Sequence, residues 1–80
     1  MTIKIKELEL HYNTAVTYKD KGLLRLVHDS LRTYYLEYFT NSLDIGEFAK
    51  LYGISIDLAE WVISMGKDLM QYRNILKWNI

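Results

Sequence analysis

Apolar residues recur at helical spacing along most of the chain. The clearest stripe follows Gly22 and consists of Leu24, Val27, Leu31, Tyr34, Tyr35 and Tyr38. On the other side of the same segment, Arg25, Asp29 and Arg32 follow one another at spacings of four and three. Because residues three and four apart lie on one side of an α-helix, this pattern predicts an amphipathic helix over about residues 22–39.

The first segment carries two competing patterns. A helical stripe is formed by Ile5, Leu8, Tyr12 and Ala15. A broken alternation that would suit a short strand is formed by Ile3, Ile5, Leu8, Leu10 and Tyr12. We expect a helix over about residues 4–20, with a strand over residues 3–12 as the alternative.

The second half begins with a polar break at residues 40–42, followed by a helix start signal. Asp44 precedes Glu47 by three residues, the spacing of a capping box, so a helix should begin at Ile45. It should end at Gly53, because glycine adopts the left-handed conformation of a tight turn at little steric cost. Ser55 can then cap a further helix.

The last helix is apolar on about three sides. Its polar strip consists of Asp57, Glu60, Ser64, Lys67 and Gln71. So wide an apolar arc indicates either a deeply buried helix or contact with a second protein. The pattern allows two ends for this helix, at Gly66 or beyond it toward Trp78.

Length and composition complete the expected fold. A chain of 80 residues predicts a single domain over residues 1–80, of a size at which every apolar residue is needed for the core. It has no cysteine and no proline, so neither a disulfide nor a cysteine zinc site can add stability. We therefore expect an all-α fold, a small bundle of four to five helices.

Charge and the remaining motifs restrict the function. Ten Lys and Arg balance ten Asp and Glu, so the chain has no long-range attraction to nucleic acid or acidic membranes. His11 and His28 do not have a metal-ligand spacing, and we expect no catalytic residue, metal or cofactor. No apolar run could cross a bilayer and the charged start does not suit a signal peptide, so we expect a soluble, cytoplasmic protein.

One stretch, about residues 44–66, resembles a known DNA-binding motif. An apolar residue and a small one, Phe48 and Ala49, are followed four residues later by Gly53. Ala59 and Val62 then occupy the buried positions of the next helix. This arrangement resembles the helix-turn-helix of bacterial and phage regulators. The resemblance implies that the second helix reads DNA through its first turns and its outward side.

The residues at those reading positions are unusual for a DNA reader. The positions that the resemblance implies are Ser55, Ile56, Asp57, Glu60, Trp61 and Ser64. They include none of the Arg, Lys, Asn or Gln side chains that most often read base edges. Asp57 and Glu60 would repel a polyanion, and their position near the start of a helix is explained by the helix dipole alone.

Two functional hypotheses follow. The first is a DNA-associated transcriptional regulator that acts as a dimer, with DNA contacts from Lys50, Ser55, Ser64, Lys67 and Arg73. The second is a protein-binding adaptor or inhibitor that keeps the helix-turn-helix fold without reading DNA, with an interface at Ile56, Trp61 and Met65. The short Ile-, Lys- and Tyr-rich chain is similar to small proteins of phages and mobile elements. We predict the first, which the motif favours, and keep the second as the alternative, which the residue chemistry favours.

Overall fold

The computed structural model describes residues 2–78, with side chains over residues 2–71. Its elements are a 3-10 turn Ile5–Glu7 and the helices α1 (Leu8–Thr17), α2 (Lys21–Thr40), α3 (Ile45–Tyr52) and α4 (Ile56–Trp78). Residues 2–78 contain no strand, so the predicted all-α class is confirmed over this range and the strand alternative for residues 3–12 is wrong. The helix expected at about 22–39 is α2, longer by one residue at each end.

Polar side chains define the starts of three helices. Asp20 accepts a hydrogen bond from the Leu23 N–H at 3.1 Å and begins α2. Asp44 and Glu47 form the predicted capping box, with the Glu47 N–H donating to the Asp44 carboxylate at 2.7 Å. Ser55 is confirmed as the cap of α4, because its Oγ accepts from the Leu58 N–H at 3.1 Å. These bonds satisfy N–H groups that a helix start otherwise leaves unpaired.

The first three helices all end in a residue with left-handed backbone. These residues are Lys19 (φ 52°), Ser42 (φ 53°) and Gly53 (φ 63°). After each, the next N–H reaches back five residues, as from Ile54 to the Ala49 carbonyl at 3.0 Å. This is the Schellman pattern, which pairs the last carbonyls of a helix. At Lys19 it ends the first helix before residue 20. Because residues 5–7 form a 3-10 turn, α1 also begins later than the expected residue 4, at Leu8.

The core lies between α2 and the helices that pack around it. Its buried apolar members are Ile3, Ile5, Leu8, Ala15, Val27, Leu31, Tyr34, Phe48, Ala49, Ala59, Val62 and Ile63. All but Ala15 form one continuous cluster, to which every element contributes. α2 therefore serves as the common support of the fold.

Aromatic rings hold α3 against α2. Phe48 is fully buried, and its ring meets that of Tyr38 edge to face at 5.8 Å between centroids. Tyr52, one turn later, lies 5.0 Å from Phe48 and 5.4 Å from Tyr34. Edge-to-face pairs at these distances add to the stabilisation from burial. Burial, followed by the nearby Glu37 carboxylate, raises the pKa of Tyr52, so its hydroxyl stays protonated at neutral pH.

α4 does not end at Gly66 but runs through it, which decides between the two ends that the sequence allowed. A Cβ at position 66 would lie 2.5 Å from the Tyr35 Cβ and 2.7 Å from the Leu31 carbonyl oxygen. Real side chains do not approach so closely. Gly66 is thus the point at which α4 comes nearest to the backbone of α2.

The segment before the 3-10 turn is bound to α2 through a buried pair of hydrogen bonds. The Ile3 N–H donates to Ser30 Oγ at 2.9 Å, and the Tyr34 hydroxyl donates to the Ile3 carbonyl at 2.8 Å. Ser30 also donates to the Leu26 carbonyl at 2.9 Å. Both backbone groups of Ile3 are therefore paired inside the core, where an unpaired polar group would be costly.

Gly66→Ala should destabilise the fold by about 1–3 kcal/mol, because the added methyl group overlaps α2 and forces the helices apart. Helix propensity alone would give the opposite sign, a gain of about 1 kcal/mol. Gly22→Ala is the matched control, since its Cβ would meet only Asp20 Oδ1 at 3.6 Å. Urea denaturation of the two variants measures both effects, and equal stabilisation by both would contradict a close approach at Gly66.

Tyr34→Phe should cost about 1–3 kcal/mol of unfolding free energy, because it leaves the buried Ile3 carbonyl without its donor. Tyr18→Phe removes a hydroxyl from a side chain that is 77% exposed and serves as the control. Thermal unfolding followed by circular dichroism compares them. A Tyr34 variant as stable as the Tyr18 variant would mean that the Ile3 bond contributes nothing.

Candidate functional site

A groove separates α1 from the first turns of α4. Its volume is about 640 Å³. Lys6, Glu9, Leu10 and Asn13 line one side, and Ser55, Asp57, Leu58 and Trp61 line the other. We call this depression the α1–α4 groove. Three of its residues come from the first turns of α4 and a fourth, Ser55, is the cap of that helix, the region that the sequence predicted to be functional.

Apolar side chains form the base of the α1–α4 groove. Trp61 is half-buried, and its ring meets that of Tyr12 on α1 edge to face, with the centroids 5.7 Å apart. Leu58 is also half-buried and packs against the core cluster. Leu10, in contrast, is 66% exposed. An exposed leucine next to a tryptophan gives the groove an apolar surface that water covers in the free chain.

Charged groups lie around this apolar base. Lys6, Glu9 and Asp57 are all exposed. Asp57 lies in the first turn of α4, where the helix dipole favours a negative charge. The Ser55 oxygen already accepts the capping bond from Leu58, so its lone pairs are partly used within the chain. The rim therefore carries two carboxylates and one ammonium group.

The residues expected to contact DNA lie on α3, at the cap of α4 and along α4. Lys50, Ser64 and Lys67 are exposed, as a contact role requires. Lys50 lies in a depression lined by Leu43, Glu47, Lys50 and Leu51. Lys67 lies in a separate one lined by Tyr35, Leu36, Phe39, Lys67, Met70 and Gln71. The side chain of Arg73 is outside the described residues.

The three residues expected at a protein interface also differ in their surroundings. Ile56 is 54% exposed. Trp61 lines the α1–α4 groove, and Met65 is half-buried and packs against the core cluster. Five residues separate Ile56 from Trp61, which corresponds to about 140° around a helix. The two residues therefore belong to different sides of α4.

Sequence reasoning missed the contribution of α1 to the groove. The sequence did contain one signal for this role of α1. Leu10 is apolar but does not belong to the helical stripe of Ile5, Leu8, Tyr12 and Ala15. An apolar residue outside the buried stripe of a helix is a candidate for an exposed contact. Leu10 and Trp61 line the same groove because of tertiary packing. The spacing of residues in a single sequence does not predict such a contact.

The titratable side chains of the described residues were candidates for a metal site. Across residues 2–71, no cluster of three or more His, Cys, Asp or Glu side chains could hold a metal ion. Burial, followed by the Arg32 charge, lowers the pKa of His28 despite the nearby Asp29, so this imidazole is neutral at pH 7. Within the described part of the chain, no helix combines the length and apolar character that crossing a bilayer requires.

Comparison with known proteins identifies no relative. No family model, curated protein or solved structure matches the chain. Its function is therefore argued from its own surfaces.

Proposed function

We propose that the chain is a small, non-enzymatic protein-binding module, and that the α1–α4 groove receives a segment of its partner. The observation that carries the proposal is that exposed Leu10 lies across one depression from Leu58 and Trp61. An apolar centre with a polar rim is the composition of protein and peptide binding sites. Tryptophan is also the residue most enriched among those that dominate binding energy.

The charges of the rim suggest the chemistry of the partner. Glu9 and Asp57 outnumber Lys6, and all three are exposed. A partner segment with a large apolar side chain and a neighbouring Lys or Arg would complement this arrangement. An adaptor or an inhibitor is the biological role that we favour, since the composition is similar to that of small phage and mobile-element proteins.

A DNA-associated regulator with a helix-turn-helix, acting as a dimer, is the second candidate. Its support is the left-handed turn at Gly53 between α3 and α4, together with the exposure of Lys50, Ser64 and Lys67. It ranks second because exposed Asp57 and Glu60 would lie near the phosphates, and because Lys50 and Lys67 lie in separate depressions. Phosphate neutralisation supplies much of the affinity of such proteins.

The groove proposal predicts that selection from a library of short random peptides enriches an apolar anchor beside Lys or Arg. Leu10→Lys should weaken a selected peptide more than about tenfold, because it replaces an apolar contact and repels the Lys or Arg of the peptide. Leu51→Lys is the matched control, as Leu51 is 60% exposed on α3 and lies outside the groove. Titration of Trp61 fluorescence in a Trp78→Phe background measures the affinities.

Two outcomes would contradict a binding role for the groove. One is a selection without any shared pattern among the enriched peptides. The other is a selected peptide that binds the Leu10 and Leu51 variants equally well, since it would then bind elsewhere on the chain.

The DNA hypothesis predicts a complex with random-sequence duplex at about 50 mM salt that is lost by about 200 mM, because phosphate binding releases counterions. Lys50→Glu should abolish it, and Lys4→Glu, an exposed change before α1, should weaken it less. Fluorescence anisotropy of a labelled duplex is the measurement. Absence of a complex at the lower salt, or a complex indifferent to Lys50→Glu, would eliminate this candidate.

A further inference from the structure

The outward side of α2 carries a stripe with the spacing of a coiled-coil seam. Its members are Lys21, Arg25, His28, Arg32, Tyr35 and Phe39, separated by four, three, four, three and four residues. Alternating steps of three and four keep side chains on one side of an α-helix and are the spacing by which one helix faces another. The buried residues Val27 and Tyr34 belong to a different side of α2. We call the six residues the α2 outer seam.

The first half of the α2 outer seam is basic. A depression of about 310 Å³ is lined there by Lys21, Leu24, Arg25, His28 and Arg32. Lys21 and Arg25 are exposed, and within residues 2–71 neither forms an ion pair. Arg32 is half-buried and already paired with Asp29, so it offers no free charge. Since His28 is neutral at pH 7, Lys21 and Arg25 are the cations that a partner meets in this depression.

The second half of the α2 outer seam is apolar. A second depression, of about 230 Å³, is lined there by Tyr35, Leu36, Phe39, Lys67, Met70 and Gln71. Leu36 is 45% exposed and Phe39 is 68% exposed. The ring of Phe39 stacks on that of Tyr35, with the centroids 6.1 Å apart. Two large apolar side chains exposed at the edge of one depression indicate a contact surface more than a solvated helix side.

We propose that the α2 outer seam binds an amphipathic helix of a second protein that carries Asp or Glu in one part and a large apolar side chain in another. The carboxylates of this helix face Lys21 and Arg25. Its apolar side chain enters the depression at Leu36 and Phe39. Recognition of a helix through anchors on one of its sides is a common mode of peptide binding.

The separation of the two depressions sets the spacing expected in the partner. Eleven residues separate Arg25 from Leu36, which corresponds to roughly 16 Å along a helix. A partner helix that lies along α2 has the same rise per residue. Its acidic group and its apolar anchor should therefore lie about ten to twelve residues apart. This pattern differs from that expected for the α1–α4 groove, where the apolar anchor and a Lys or Arg are neighbours.

Charge favours an acidic helix over other occupants of the α2 outer seam. A second copy bound through the same seam would place the cations of both copies in one interface, where like charges repel. A nucleic acid or an anionic membrane carries negative charge throughout, so it would also meet the exposed carboxylate of Asp29. A helix can instead place its carboxylates opposite Lys21 and Arg25 alone. The mixed charge of the seam thus fits a protein segment best.

Selection from a library of helical peptides tests the proposal. The peptides are about three heptads long and have an alanine-rich framework that is varied along one side. We expect enrichment of Asp or Glu about ten to twelve residues from a Leu, Phe or Trp. Fluorescence anisotropy of a labelled peptide then measures its affinity for the full chain.

Arg25→Glu should weaken a selected peptide about tenfold or more, whereas Lys50→Glu on α3 should leave its affinity unchanged. Exchanging the carboxylates of the peptide for Lys should restore binding to the Arg25→Glu variant, because the charges are then complementary again. Phe39→Ser should also weaken the peptide, and Leu51→Ser is its control, since Leu51 is 60% exposed on α3. Circular dichroism of each variant confirms that it is folded.

Enriched peptides without the acidic and apolar pattern would overturn the proposal, as would a peptide that binds the Arg25→Glu variant and the original chain equally well. Binding to vesicles that contain phosphatidylserine, without binding to any acidic peptide, would overturn it in favour of a membrane surface. The groove is a separate site, so Leu10→Lys should leave the acidic peptide bound. Arg25→Glu should leave the groove peptide bound, so the two proposals can fail independently.

Discussion

The close approach of α2 and α4 at Gly66 is the constraint on which the rest of the structure depends. A side chain at this position would overlap Tyr35 and the backbone of Leu31, so α4 can lie this near only because position 66 has none. Ala59, two turns earlier in the same helix, is also fully buried. A chain of this size has little apolar surface to spare, so a gap between its two longest helices would remove much of its core.

The α1–α4 groove follows from how α2 positions its neighbouring helices. α3 is bound to α2 through Phe48 and Tyr38, and the turn at Gly53 then directs the chain into α4. α1 packs on α2 as well, so its Tyr12 meets Trp61 at the beginning of α4. The α1–α4 groove therefore forms because α1 and α4 both pack on α2. No long loop contributes to its described lining. Such a site is preformed, which reduces the ordering cost of binding.

Much of the fold could be predicted from signals between neighbouring residues. Contacts between residues distant in the sequence could not be predicted. The capping box at Asp44, the turn at Gly53 and the cap at Ser55 are each determined by a few neighbouring residues. Gly66 was ambiguous because a glycine can end a helix or permit a close contact, and only the position of Tyr35 distinguishes these roles. The end of α1 at Lys19 was missed because a lysine in left-handed conformation has no sequence signature. Trp61 was identified as a candidate but Leu10 was not, because the position of Leu10 in the groove depends on a contact between α1 and α4.

The surroundings of α4 change the interpretation of its acidic residues. On an isolated DNA-reading helix, Asp57 and Glu60 would be a defect. In the folded chain Asp57 lies at the rim of an apolar groove, and Glu60 is exposed on α4. That arrangement is poorly suited to a polyanion and well suited to protein surfaces of mixed charge.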